Sequence, residues 1–129
     1  GPKRKAEIIG RGEHVEQQGM IKPIIDKAEI SVDFPGKTYM GSFTRHSGFE
    51  VTADKEGVRI QFLHRVGERR RVGLHIHYRL LADMLEEIGE ALKSSKPLDH
   101  DQRKFLMSSA DALQQALKSL EDREKSSNS

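Results

Sequence analysis

Apolar and polar residues alternate along residues 28–78, and beyond Tyr78 the period changes. Ala28, Ile30, Val32 and Phe34 alternate with Glu29, Ser31 and Asp33, the pattern of a half-buried strand. Pro35-Gly36 then turns the chain, and Tyr39, Gly41 and Phe43 form a second set that closes at Arg45-His46-Ser47-Gly48. Phe49, Val51 and Ala53 make a third set. Asp54-Lys55-Glu56-Gly57 reads as a hairpin loop in which Gly57 supplies a positive φ. Val58, Ile60 and Phe62 form the fourth set, residues 66–69 turn the chain again, and Val72, Leu74 and Ile76 form the fifth. The spacing predicts an antiparallel meander of about five strands with one apolar face.

After Tyr78 the apolar residues recur at helical spacing. Leu81, Met84, Leu85, Ile88 and Leu92 lie on one stripe, predicting a helix over about residues 79–93 that stops at Ser94-Ser95-Lys96-Pro97. Asp99 with Gln102 three positions on has the form of a capping box opening a second helix near Asp101. Leu106, Ala110, Leu113, Leu117 and Leu120 continue that helix to about Arg123. The short connection favours an antiparallel helix pair, so the expected class is α+β, with both helices packed on one face of the sheet. Residues 1–26 hold neither period and read as a flexible arm, in which Gly1-Pro2 has the form of a tag remnant. The expected domain covers residues 27–123, and residues 124–129 read as a disordered tail.

Charge changes this picture more than composition does. The chain of 129 residues carries a formal net charge of +2. Residues 27–82 hold ten Lys and Arg against six acids, a net +4, while residues 83–129 hold seven against ten, a net −3. The strands are basic and the helices acidic. If Val58, Ile60 and Phe62 face the helices, then Arg59, Gln61, Leu63 and Arg65 face away, together with Arg71, Gly73, His75 and His77 on the next strand. Arg69 and Arg70 extend that row at the hairpin tip. Arginine forks in this arrangement suit phosphate oxygens. The same residues also suit an ordinary solvated sheet face, whose charge blunts edge pairing.

With no Cys, the chain has no disulfide, thiolate metal site or cysteine nucleophile. No apolar run approaches the roughly 18–20 residues of a membrane span, and no Gly-rich phosphate loop occurs. No cofactor is implied. His75-Ile76-His77 places two imidazoles on one strand face, where neutral nitrogens grip divalent metals. That triplet resembles the His-hydrophobic-His signature of rolling-circle replication and mobilisation nucleases. The resemblance implies His75 and His77 as metal ligands beside a helix-borne Tyr, whereas Tyr78 here is expected to precede the first helix.

The stretch from Tyr39 to Lys93 contains Lys55-Glu56-Gly57-Val58-Arg59-Ile60-Gln61-Phe62, the basic turn Glu68-Arg69-Arg70-Arg71, and Val72-Gly73-Leu74 leading into the Leu81–Leu92 stripe. It resembles the transcriptional positive cofactor four and whirly group of single-stranded nucleic-acid-binding proteins. That resemblance implies a curved antiparallel meander, a homodimer, and backbone contacts from Arg59, Arg65, Arg69, Arg70 and Arg71. The expected function is a non-catalytic module whose Arg59, Gln61, Arg65, Arg69, Arg70, Arg71, His75 and His77 contact nucleic acid, single-stranded favoured, or another polyanion. One alternative is a protein-interaction or assembly module that uses the helix pair or a sheet edge and meets an acidic partner. A third is a metal-dependent nuclease-like enzyme using His75 and His77. The expected setting is intracellular, cytoplasmic or nucleoid-associated with the nucleus left open, and away from membranes.

Overall fold

A computed structural model describes residues 19–64, 66–67, 69–94, 96 and 98–127. The arm up to residue 18, with its basic run Lys3-Arg4-Lys5, and Arg65 among the site residues lie outside the described residues. The chain is α+β, as the two periods predict. Among the described residues, six strands are followed by two helices: β1 (Lys22–Pro23), β2 (Ala28–Phe34), β3 (Lys37–Phe43), β4 (Ser47–Ala53), β5 (Gly57–His64), β6 (Arg70–His77), α1 (Tyr78–Ser94) and α2 (His100–Ser127). The chain divides into two compact units, Gly1–Glu87 and Ile88–Ser129, with the boundary inside α1.

The expected single meander is two sheets. One has the order β1-β4-β5-β6 and the other is the β2-β3 hairpin, all pairings being antiparallel. Two features break the run between β3 and β4. The Ser47 N–H donates to the Thr44 carbonyl at 3.0 Å, and His46 adopts a φ of 70°, so the chain reverses tightly instead of pairing onward. The edge of β4 that β3 would have filled is taken by β1, with Lys22 opposite Phe49 and Pro23 opposite Gly48. Thus residues assigned by the sequence to the arm add the sixth strand. Within the β2-β3 hairpin, Pro35 and Gly36 form the connection, and Gly36 takes the positive φ of 81° that a type II turn requires after proline.

Register fixes the faces of the four-stranded sheet. Phe49 pairs with Phe62 and Phe62 with Val72, Val51 with Ile60 and Ile60 with Leu74, Ala53 with Val58 and Val58 with Ile76. Directly paired residues point to the same side, so these nine residues form one apolar face. The β2-β3 hairpin supplies its cover: Phe43 is 2% exposed, and its ring stands 5.8 Å from that of Phe62. The cover is partial. Two residues along the strands, Val51 and Leu74 are 50% and 45% exposed. Ile76 is buried.

The capping box forms as expected. Asp99 Oδ1 accepts the Gln102 N–H at 2.8 Å, and Gln102 Oε1 accepts the Asp99 N–H at 3.3 Å, which satisfies two otherwise orphaned donors at the start of α2. Helix α2 runs to Ser127, past the Arg123 expected from periodicity, so residues 124–127 of the expected tail are helical. Helix α1 begins one residue early, at Tyr78, and ends at Ser94. Neither helix has a buried residue, and the leucine stripe is open to solvent, with Ile88 53% and Leu117 57% exposed.

Gly57 does not supply a positive φ; the positive-φ glycines among the described residues are Gly36 and Gly67. Glycine is required there for a different reason. A Cβ at Gly57 would run into the Ile76 carbonyl oxygen, and would stand 2.8 Å from Ile76 C and from His77 Cα. These are backbone atoms paired across the β5–β6 ladder, so they cannot yield cheaply. Gly57→Ala is therefore expected to lower unfolding free energy by about 1–3 kcal/mol or more, read by urea denaturation. Gly73→Ala serves as the control, because its Cβ would meet Gln61 Cγ at 3.8 Å, an ordinary contact, and it should cost far less.

Candidate functional site

The second face of the four-stranded sheet is built by the remaining register positions. Arg59 pairs with His75, Gln61 with Gly73, Leu63 with Arg71, and Gly57 with His77. On the other side of β5, Thr52 pairs with Arg59 and Glu50 with Gln61. Arg59, Gln61, Arg71, His75 and His77 therefore share one polar face, opposite the apolar one, as the strand phase predicts. Two of the other expected contacts fall elsewhere. Arg70 pairs with His64 on the apolar side, where its guanidinium carbon lies 5.7 Å from the Phe43 ring centroid. That cation–π contact makes Arg70 part of the core edge, because odd and even positions of a strand face opposite ways. Arg69 is exposed and precedes β6.

A carboxylate that the sequence reading did not single out organises one end of this face. Asp54 Oδ1 accepts the backbone N–H groups of Glu56 and Gly57, each at 2.9 Å, forming an Asx-type turn between β4 and β5. Asp54 Oδ2 receives the Arg59 Nε–H at 3.3 Å and lies 3.2 Å from His75 Nε2. The turn is fastened to the start of α1 as well. The Tyr78 hydroxyl donates to the Asp54 carbonyl at 2.6 Å, and the Tyr78 N–H donates to the Glu56 carbonyl at 3.3 Å. Tyr78 is the first residue of α1, whereas periodicity alone places it before the helix.

These contacts set the electrostatics. The backbone N–H of Glu56, then that of Gly57, and then His75 hold the Asp54 carboxyl well below the ordinary aspartate range. Desolvation acts the other way and is outweighed. The face is therefore less uniformly basic than the residue count suggests. Arg71 stands at the end opposite Leu63, while Arg59 is paired to Asp54, and Glu50 lies beside Gln61.

The same end gathers metal-ligating side chains. The His75 and His77 rings have centroids 5.0 Å apart, and Glu56 joins them, the three residues offering donor atoms within 4.8 Å of one another. Glu56 was not among the sequence candidates. Its proximity follows from the pairing of Gly57 with His77, which periodicity does not reveal. No protein-family model, curated protein or solved structure matches the chain.

A carboxylate stabilised in the folded state makes its contribution above its unfolded pKa and loses it as pH falls toward the folded one. The stability difference between the native protein and Asp54→Asn should therefore be full above about pH 4 and shrink as the solution is acidified below it. Urea unfolding of both proteins across pH 2–6 reads that difference. A gap that widens on acidification would contradict the role assigned to Asp54.

Proposed function

We propose that this chain is a non-catalytic binding module whose polar sheet face docks nucleic acid, single-stranded in preference, through phosphate contacts. The observation that carries the reading is the shared orientation of Arg59, Gln61, Arg71, His75 and His77 on a rigid β5–β6 ladder. Arginines fixed on strands hold donor forks in a plane, where they can meet successive phosphates with little sequence preference. The net +4 of residues 27–82 favours the encounter with a polyanion at long range. The likeness of residues 39–93 to the positive cofactor four and whirly group points the same way.

A second reading has its own observation. Apolar residues are exposed on the sheet at Val51 and Leu74, on α1 at Leu85, Ile88 and Leu92, and on α2 at Leu106, Leu113, Leu117 and Leu120. Exposed apolar surface of this kind favours association. A second copy of the chain suits it, because the basic strands of one copy and the acidic helices of another are complementary in charge. The two readings combine in a homodimer that presents two polar faces.

One experiment tests both. Binding of a fluorescent single-stranded oligonucleotide is followed across a salt series, with light scattering on the same samples. The affinity should fall steeply with salt. Arg59→Ala/Arg71→Ala should flatten the slope of log K against log salt by about 1.4, the loss of two single-strand phosphate contacts. A mass of twice 14.6 kDa is expected for the free protein. No binding at low salt would overturn the nucleic-acid reading, and a monomeric mass would overturn the dimer.

A further inference from the structure

We propose that Glu56, His75 and His77 form a binding site for a divalent first-row transition-metal ion, with Zn2+ as the ion of best fit. The site shares His75 and His77 with the polar face, and it does not rest on the nucleic-acid reading. Two imidazoles and one carboxylate on three separate positions are the donor set of an open zinc site, which leaves a fourth position for water or an anionic oxygen. Imidazole nitrogen selects such ions over Mg2+ and Ca2+, which prefer all-oxygen shells.

The three donors come from two elements whose relation is fixed. His75 and His77 stand two residues apart on β6 and so project to the same side. Glu56 sits in the turn before β5, and the Gly57–His77 pairing brings that turn against the end of β6. The absence of a Cβ at Gly57 is what permits the approach, since Ile76 and His77 backbone atoms occupy the space a side chain would need. The Tyr78 hydroxyl and N–H then bind the turn to the chain immediately after His77.

The surroundings are those of a supported site. The Asp54 carboxylate lies 3.2 Å from His75 Nε2, so it can fix the imidazole and strengthen it as a donor, as outer-shell carboxylates do for metal-bound histidines. Asp54 is itself held by the Glu56 and Gly57 N–H groups. Donor atoms of a tetrahedral zinc site stand about 3.3 Å apart, given bonds of about 2.0–2.1 Å. The donor atoms here lie within 4.8 Å of one another, and Glu56 and His77 are both exposed, so their side chains have room to rotate toward that spacing.

The test uses the full chain without a histidine tag, freed of metal by a chelator and dialysed. Zn2+ is titrated in competition with a chromophoric chelator, and Co2+ is added to a second sample to read coordination from its visible spectrum. One ion per chain is expected, with the strong visible absorption of four-coordinate Co2+. His77→Ala and Glu56→Gln, both at exposed positions, should each weaken binding at least tenfold, and Asp54→Asn by roughly 10–100-fold. Circular dichroism of each variant confirms that the fold is kept. Failure to bind Zn2+ stoichiometrically would overturn the proposal. So would binding that survives His77→Ala unchanged, or binding indifferent to Glu56→Gln.

Discussion

Asp54 is the residue at which the strands, the turn and the start of the first helix are joined, the helix through its carbonyl and the rest through its carboxylate. It accepts two backbone N–H groups within its own turn, and it meets Arg59 and His75 on the two strands that follow. Backbone donors aimed at a carboxylate make strong, charge-assisted hydrogen bonds, and here they leave the group ionised well into acid. The close approach of the turn to β6 depends on the missing side chain at Gly57. Take away either feature and His75, His77, Glu56 and Arg59 lose their common frame.

That frame gives the four-stranded sheet two unlike sides. One is apolar and is sealed around Phe43 by the β2-β3 hairpin, while Val51 and Leu74 stay half open. The other is polar and mixes cations with carboxylates: Arg71 near one end, the Asp54, Arg59 and His75 cluster near the other, and Glu50 between. A polyanion docking on this face, as proposed, would meet the two arginines in different states. Arg71 offers its charge directly, whereas docking at Arg59 competes with Asp54 for the same guanidinium. Competition of this kind makes Arg59 the weaker phosphate ligand of the two, because its charge is already met in part by Asp54.

Much of this was legible in the alternation of residues. The phase of β5 and β6 followed directly from Val58, Ile60 and Phe62 and from Val72, Leu74 and Ile76, because a period of two leaves only two choices of face. The Asp99–Gln102 cap was legible because its partners lie three residues apart. What failed was nonlocal. Lys22–Pro23 is too short to show a period, yet it takes the β4 edge and so turns one expected meander into two sheets. Arg70 was placed by its position near a turn, although strict alternation puts it beside Phe43. Asp54 and Glu56 looked like ordinary turn residues, and only the β5–β6 register brings them to the histidines. For Gly57, the turn context suggested a dihedral requirement, while the true constraint is a neighbouring backbone.

The central claim is that the polar face receives the nucleic acid, and mapping by amide chemical shifts tests it most directly. On addition of a short single-stranded oligonucleotide, the account predicts shifts concentrated at Thr52, Arg59, Gln61, Arg71 and Gly73, whose side chains or α-hydrogens lie on that face. Shifts concentrated instead at Phe49, Val51, Ile60 and Leu74, on the apolar face, would contradict it.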